Sequence, residues 1–192
     1  MNRKISIFFY GLLVAIPLLF LSFTFQPVGF IIQVAKNTHA TPRWLPYSSK
    51  KGKFSIEFPG KPVLNETRLY NRDFGNIILY TASCDPDINH SFAVSYSDYP
   101  KSYIRKFDPI ELMETARLNA LANCDIQNDT TVEFNNYKGM RCTAYNLSGK
   151  TTNYYLIVLV GNRLYQVLAV ADYEETEMYD YNRFIKSFSI NK

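Results

Sequence analysis

The sequence predicts an α+β fold, an antiparallel β-sheet with helices packed on it. Three observations carry this. Short stretches of apolar alternation recur beyond residue 53, beginning with Phe54-Ser-Ile-Glu-Phe58. Turn-forming pairs and Asn- or Gly-containing loops separate them. Only two segments, opening at Asp108 and Asp172, carry helix start signals, and each follows a run of strands.

In order, Phe54, Ile56 and Phe58 share one face of a half-buried strand, which Pro59-Gly60 ends. Strands are expected at 63–70 and 76–83, joined by the hairpin loop Asn71-Arg-Asp-Phe-Gly75. Another runs from Ser91 to Tyr99 and stops at Pro100. Asp108-Pro109-Ile110-Glu111 starts a helix, since Asp108 can accept from first-turn amides and Pro109 needs no amide partner there. Ile110, Met113, Ala116, Ala120 and Leu121 form its apolar stripe. Strands at 126–134 and 140–147 surround the turn 135–139. A hairpin of 154–160 and 164–171 turns at Gly161-Asn162, and Leu156 to Val160 is apolar on both faces, as a central strand is. Asp172-Tyr-Glu-Glu175 starts a C-terminal helix with Met178, Tyr181, Ile185 and Phe188 inward.

The chain's N-terminal part has a different character. Residues 5–35 hold no charged side chain, and Ile5 to Phe25 is long enough to span a bilayer. Residues 1–40 are therefore expected to be a membrane anchor or a signal segment. Length favours the uncleaved anchor; the alternative is secretion after cleavage following Ala40, with small Thr38 in register. Arg3 and Lys4 lie nearest the apolar run and place the N-terminus inside and the domain outside. Residues 41–53 read as a basic linker and 54–192 as a single domain.

The formal net charge of +4 misleads until it is divided. Arg3, Lys4, Lys36, Arg43, Lys50, Lys51 and Lys53 precede the domain without one acidic residue among them. The remainder holds 14 basic and 17 acidic residues, so no nucleic-acid partner is expected. Anionic lipid is the partner that Lys36, Arg43, Lys50, Lys51 and Lys53 would meet beside a membrane exit. Hydrophobic residues at 47% exclude a disordered chain.

The segments Gly52-Lys-Phe-Ser-Ile-Glu-Phe-Pro-Gly-Lys-Pro62, Gly161-Asn-Arg-Leu-Tyr-Gln-Val167 and Phe184-Ile-Lys-Ser-Phe-Ser-Ile190 resemble, in order and spacing, the PsbP-like family. That family includes the extrinsic photosystem II subunit and bacterial envelope proteins related to DcrB. The resemblance covers about residues 44–190. It implies an α-β-α sandwich, a location in the periplasm, thylakoid lumen or exterior, and a binding or assembly role. No functional residue is carried over, and the lipid-accepting cysteine of the bacterial lipoproteins is missing here.

Motifs for chemistry are few. The chain has two histidines, and a domain site must use His90 because His39 precedes the domain. There is no nucleophile elbow, phosphate loop or zinc-protease motif. The sharpest cluster is Cys84-Asp85-Pro-Asp87-Ile-Asn89-His90, whose thiolate, carboxylates and imidazole are zinc-type ligands: Cys84, Asp85, Asp87 and His90. Asp85, Asp87 and Asn89 also match a calcium loop's opening, but His90 replaces its Gly and Tyr96 its bidentate Glu. A plain polar turn explains the same residues. Fifteen tyrosines could form a binding stripe or merely favour strands. The acids Asp172, Glu174, Glu175 and Glu177 suit a helix start or a basic partner. Sequons stand at Asn65, Asn89, Asn128 and Asn146. Of Cys84, Cys124 and Cys142, an oxidising compartment would pair Cys84 with Cys124 at element ends, leaving mid-strand Cys142 free and buried.

The expectation is a membrane-associated, extracytoplasmic binding or assembly module without catalytic activity or cofactor, whose partner is another envelope or membrane protein. The alternative is an exported enzyme, or a small-ligand or metal binder, using the Asp85–His90 loop.

Overall fold

A computed structural model describes residues 43–87, 90–146, 148, 150–172 and 180–191. The apolar run and Lys36 lie outside them. Among the described residues no helix is long and apolar enough to cross a membrane.

Two antiparallel sheets form the frame. β1 (Leu45–Ser49), β2 (Phe54–Phe58) and β10 (Ser189–Ile190) make a three-stranded sheet in the order β1-β2-β10. The larger sheet contains β3 (Val63–Asn71), β4 (Gly75–Asp87), β5 (His90–Asp98), β6 (Asp125–Phe134), β7 (Tyr137–Asn146), β8 (Thr151–Val160) and β9 (Arg163–Asp172). Its order is β3-β4-β5-β9-β8-β7-β6, so the β8–β9 hairpin inserts beside β5 and leaves β3 and β6 at the edges.

Turn chemistry sets these registers. Asn135 and Asn136 both take positive φ, 47° and 67°, as a two-residue hairpin turn demands. Gly161 (φ 61°) does the same between β8 and β9, and Gly75 (φ 79°) closes the β3–β4 loop. In that loop Asn71 accepts from the Asp73 amide through its side chain at 2.7 Å.

Each face of the large sheet is covered. α1 (Lys101–Ile104) and α2 (Pro109–Ala120) lie on one face, where Leu112, Met113 and Ala116 meet Met140, Cys142, Ile157 and Leu168. The Asp108 side chain caps α2, accepting from the Ile110 amide at 2.8 Å. The other face carries the small sheet and α3 (Tyr181–Ser187), so Phe54, Ile56, Phe58 and Phe184 pack on Phe92, Val94, Leu156 and Val167. β8 is buried on both faces, as expected of Leu156 to Val160, because its alternate residues enter the two cores.

Several expectations need correction. The stretch read as a linker belongs to the fold from Leu45 onward: β1 pairs with β2, and Tyr47 packs on Phe54 and Phe58. Pro46 and Ser48 occupy the outward positions of this strand. The third expected strand runs on to Asp87, which pairs with His90, while Asp85 falls where the β4–β5 register shifts, so neither stands in a free loop. The last helix starts at Tyr181, capped by Asp180 accepting from the Arg183 amide at 2.7 Å. Asp172 ends β9 instead; Glu174, Glu175, Glu177 and Met178 lie outside the described residues.

Candidate binding cleft beside β3

The residues singled out in sequence as metal ligands do not converge. Strand alternation separates neighbours: Cys84 enters the core beneath the small sheet while Asp85 is exposed. Only Asp87 and His90 meet, Oδ1 to Nδ1 at 2.6 Å, where they close the end of the β4–β5 hairpin. His90 is buried there and stacks on Tyr181. Among the described residues no group of three or more His, Cys, Asp and Glu could hold a metal ion. Asn89 lies outside them.

The cysteines are likewise apart. All three are free thiols. Cys84 packs under the small sheet and Cys124 against the α1–α2 core, so the large sheet lies between the pair expected to bond. Cys142 is buried beneath α2, and burial pushes its thiol up to about 11. Its neutral form is thus favoured by folding, a contribution present below the ordinary thiol value and lost as pH rises from about 8.5 through 11. Alkylation of the native chain near pH 8 is expected to modify half-exposed Cys124 first, with Cys84 and Cys142 reacting only on unfolding. Equal rates at all three thiols would contradict this placement.

The basic residues form two groups rather than one patch. Arg43 precedes β1 and Lys50, Lys51 and Lys53 follow it, so the groups stand roughly 20 Å apart along the strand.

What the fold does assemble is a cleft of about 130 Å³ between β1 and the β3–β4 side of the large sheet. One ladder row supplies its wall: Glu66 of β3 pairs with Tyr80 of β4 and Tyr80 with Tyr96 of β5, and the row runs on to Tyr165 of β9, buried beside Phe54. All four side chains therefore point to one face. Tyr80 and Tyr96 stack with centroids 4.9 Å apart. Tyr47 and Phe54 close the cleft from the small sheet, and Leu64, 63% exposed, forms its outer rim.

The β1–β2 loop delivers Lys51 to this wall. The Tyr165 hydroxyl donates to the Gly52 carbonyl at 2.8 Å, and the Gly52 amide donates to Ser49 Oγ at 2.9 Å. Arg163 donates from Nη1 to the Lys51 carbonyl at 2.9 Å while its Nε and Nη2 grip Asp98 at 2.7 and 2.6 Å. That bidentate pair is the strong kind. The Lys51 backbone is thereby held and its side chain reaches out: Nζ lies 2.9 Å from Glu66 Oε1 and 3.9 Å from the Tyr80 ring centre. The Glu66 hydrogen bond, then Tyr80, raises the Lys51 pKa. Arg163 lies over Tyr96 at 4.8 Å, while burial raises the Tyr96 pKa against that cation's pull.

None of these roles is visible in local sequence, because Lys51 and its partners meet only through strand register. The one signal available was phase: Tyr80 and Tyr96 alternate with residues of the opposite face, so once the hairpins pair they must neighbour each other.

No family model matches the chain, and no curated protein matches it. Among solved structures, cyanobacterial PsbP (CyanoP) from Synechocystis sp. PCC 6803 is similar over 86% of this chain and 99% of its own, with a TM-score of 0.53 at 11% identity. A Bacteroides thetaiotaomicron VPI-5482 protein is 15% identical over 77% of this chain and 48% of its own, with a TM-score of 0.40. The first likeness, at that identity, is one of architecture: the chain has the PsbP-like α+β fold.

Proposed function

We propose that the protein is a membrane-held, extracytoplasmic binding or assembly module without catalytic activity, and that it engages another envelope or membrane protein through the cleft beside β3. The observation that carries this is the cleft itself. It sets an exposed apolar rim residue, Leu64 at 63% exposure, beside stacked tyrosines and an ion pair on an edge strand. Aromatic rings next to apolar rim residues are the composition of a protein-binding surface. The side chains best suited to chemistry point elsewhere: His90, Cys84 and Cys142 are packed into the interior. The uncharged run 5–35 supports anchoring, and the sequence resemblance to PsbP-like and DcrB-related envelope proteins supports the extracytoplasmic side.

Contact of Lys36, Arg43, Lys50, Lys51 and Lys53 with anionic lipid belongs to the same proposal. With Arg43 and the Lys50–Lys53 loop at opposite ends of β1, a flat bilayer meets both only when that strand lies along it.

A photoreactive residue placed at position 64 in the full chain, in its native membrane, tests the reading. A discrete cross-link to another membrane or envelope protein is expected there. Position 118, equally apolar and exposed but on α2 across the sheet, should give none. No product at 64, or the same products at both positions, would overturn the assignment of the cleft.

A further inference from the structure

We infer that the cleft is a cation site for the alkylammonium side chain of a partner polypeptide, with Lys51 as its built-in competitor. This rests on the reading of the cleft as the recognition face and adds what it recognises.

The chain itself provides the stand-in ligand. The Lys51 ammonium occupies the position such a ligand would take, 2.9 Å from Glu66 and 3.9 Å above the Tyr80 ring. A carboxylate next to an aromatic face is the chemistry that holds alkylammonium groups. Tyr80 is backed by Tyr96, and the cleft continues past the ammonium to Leu64 and Ala82, apolar surface suited to a methylene stem. Its about 130 Å³ has room for one side chain rather than a folded ligand.

The internal contact is built to give way. Lys51 and Glu66 side chains are each 60% exposed, and such ion pairs are weak. The Lys51 carbonyl is fixed by Arg163 and its neighbour Gly52 by Tyr165, so leaving the site requires only rotation of the Lys51 side chain. An incoming ammonium then inherits Glu66 and Tyr80 without any change of backbone. An anion site would behave in the opposite way, since Lys51 would be its ligand and not its competitor.

The test uses the full chain in a non-ionic detergent with isotope-labelled tyrosine, titrated with n-butylammonium chloride and, separately, with sodium butyrate at matched ionic strength. Butylammonium is expected to shift the Tyr80 ring resonances saturably in the millimolar range. Lys51→Ala should tighten this about two- to fivefold, the factor by which a weak exposed pair competes. Adding Glu66→Gln should cancel the gain. No Tyr80 shift with butylammonium in the Lys51→Ala chain overturns the inference. So does a butyrate-induced shift that Lys51→Ala abolishes, which would make the cleft an anion site. Should cross-linking at position 64 persist while butylammonium leaves Tyr80 unmoved, the cation chemistry falls and the recognition face stands. Should the cross-link be missing while the shift is present, the cation site stands and the partner reading falls.

Discussion

Phe184→Ala is expected to cost about 3–5 kcal/mol, a large part of the roughly 5–15 kcal/mol that holds a domain folded. Phe184 is fully buried, with its ring centre 5.4 Å from Phe58 and 5.1 Å from Phe92. It thus joins three elements, α3, β2 and β5, beside the direct packing of Phe54 on Tyr96 and Tyr165. α3 has only seven residues and cannot persist by its own hydrogen bonds, so its attachment depends on this packing. Urea unfolding read by the single tryptophan measures the loss, because Trp44 packs edge-on against Phe92 at 6.0 Å. Leu118→Ala, on an exposed position of α2, should stay within about 0.5 kcal/mol of the unaltered chain. A loss below about 1 kcal/mol for Phe184→Ala would mean that the two sheets are not joined at this residue.

The sequence declared the strands wherever one face is apolar and the turn has its own chemistry. Phe54-Ser-Ile-Glu-Phe58, the Gly161 turn and the Asp108 cap all behave as read, because each is decided within a few residues. β1 escaped notice because it is half-buried at alternate positions only, with Pro46 and Ser48 outward, and its apolar partners come from β2. The cap of α3 is Asp180, eight residues beyond the expected Asp172, and Phe184 joins Tyr181 and Ile185 of the expected stripe on the helix's buried side. The candidate site was less legible still. A polar cluster such as Cys84 to His90 attracts attention as a string of ligands, yet a strand sends its neighbours to opposite faces. Lys51, Glu66, Tyr80 and Tyr96 attract none, being far apart in sequence, and only the pairing of Glu66 with Tyr80 and of Tyr80 with Tyr96 brings them together.

The same ladder row that builds the cleft continues across the sheet, from Tyr165 to Val158, then Gly139 and Val132. Gly139 is the one position in it without a side chain, and Gly139→Ala is expected to destabilise the domain by about 1–3 kcal/mol. The sign is not obvious, since alanine in a strand ordinarily gains about 0.5–1 kcal/mol over glycine. The surroundings decide it. A Cβ here would lie 2.9 Å from the Ile157 carbonyl oxygen, 3.2 Å from Val158 Cγ2 and 3.4 Å from Val132 Cγ2. The shortest contact is with backbone, in the central strand β8, buried on both faces, which has no room to retreat. Trimming the side chain that crowds the site should therefore rescue little: Val158→Ala removes the 3.2 Å contact and leaves the carbonyl. The double variant is expected to be close to the sum of the two single losses, measured by the same urea transition. Recovery of most of the Gly139→Ala loss in the double variant would show that the valine methyl, and not the β8 backbone, sets the limit. A gain in stability from Gly139→Ala alone would show that β7 and β8 part easily at this point in the row.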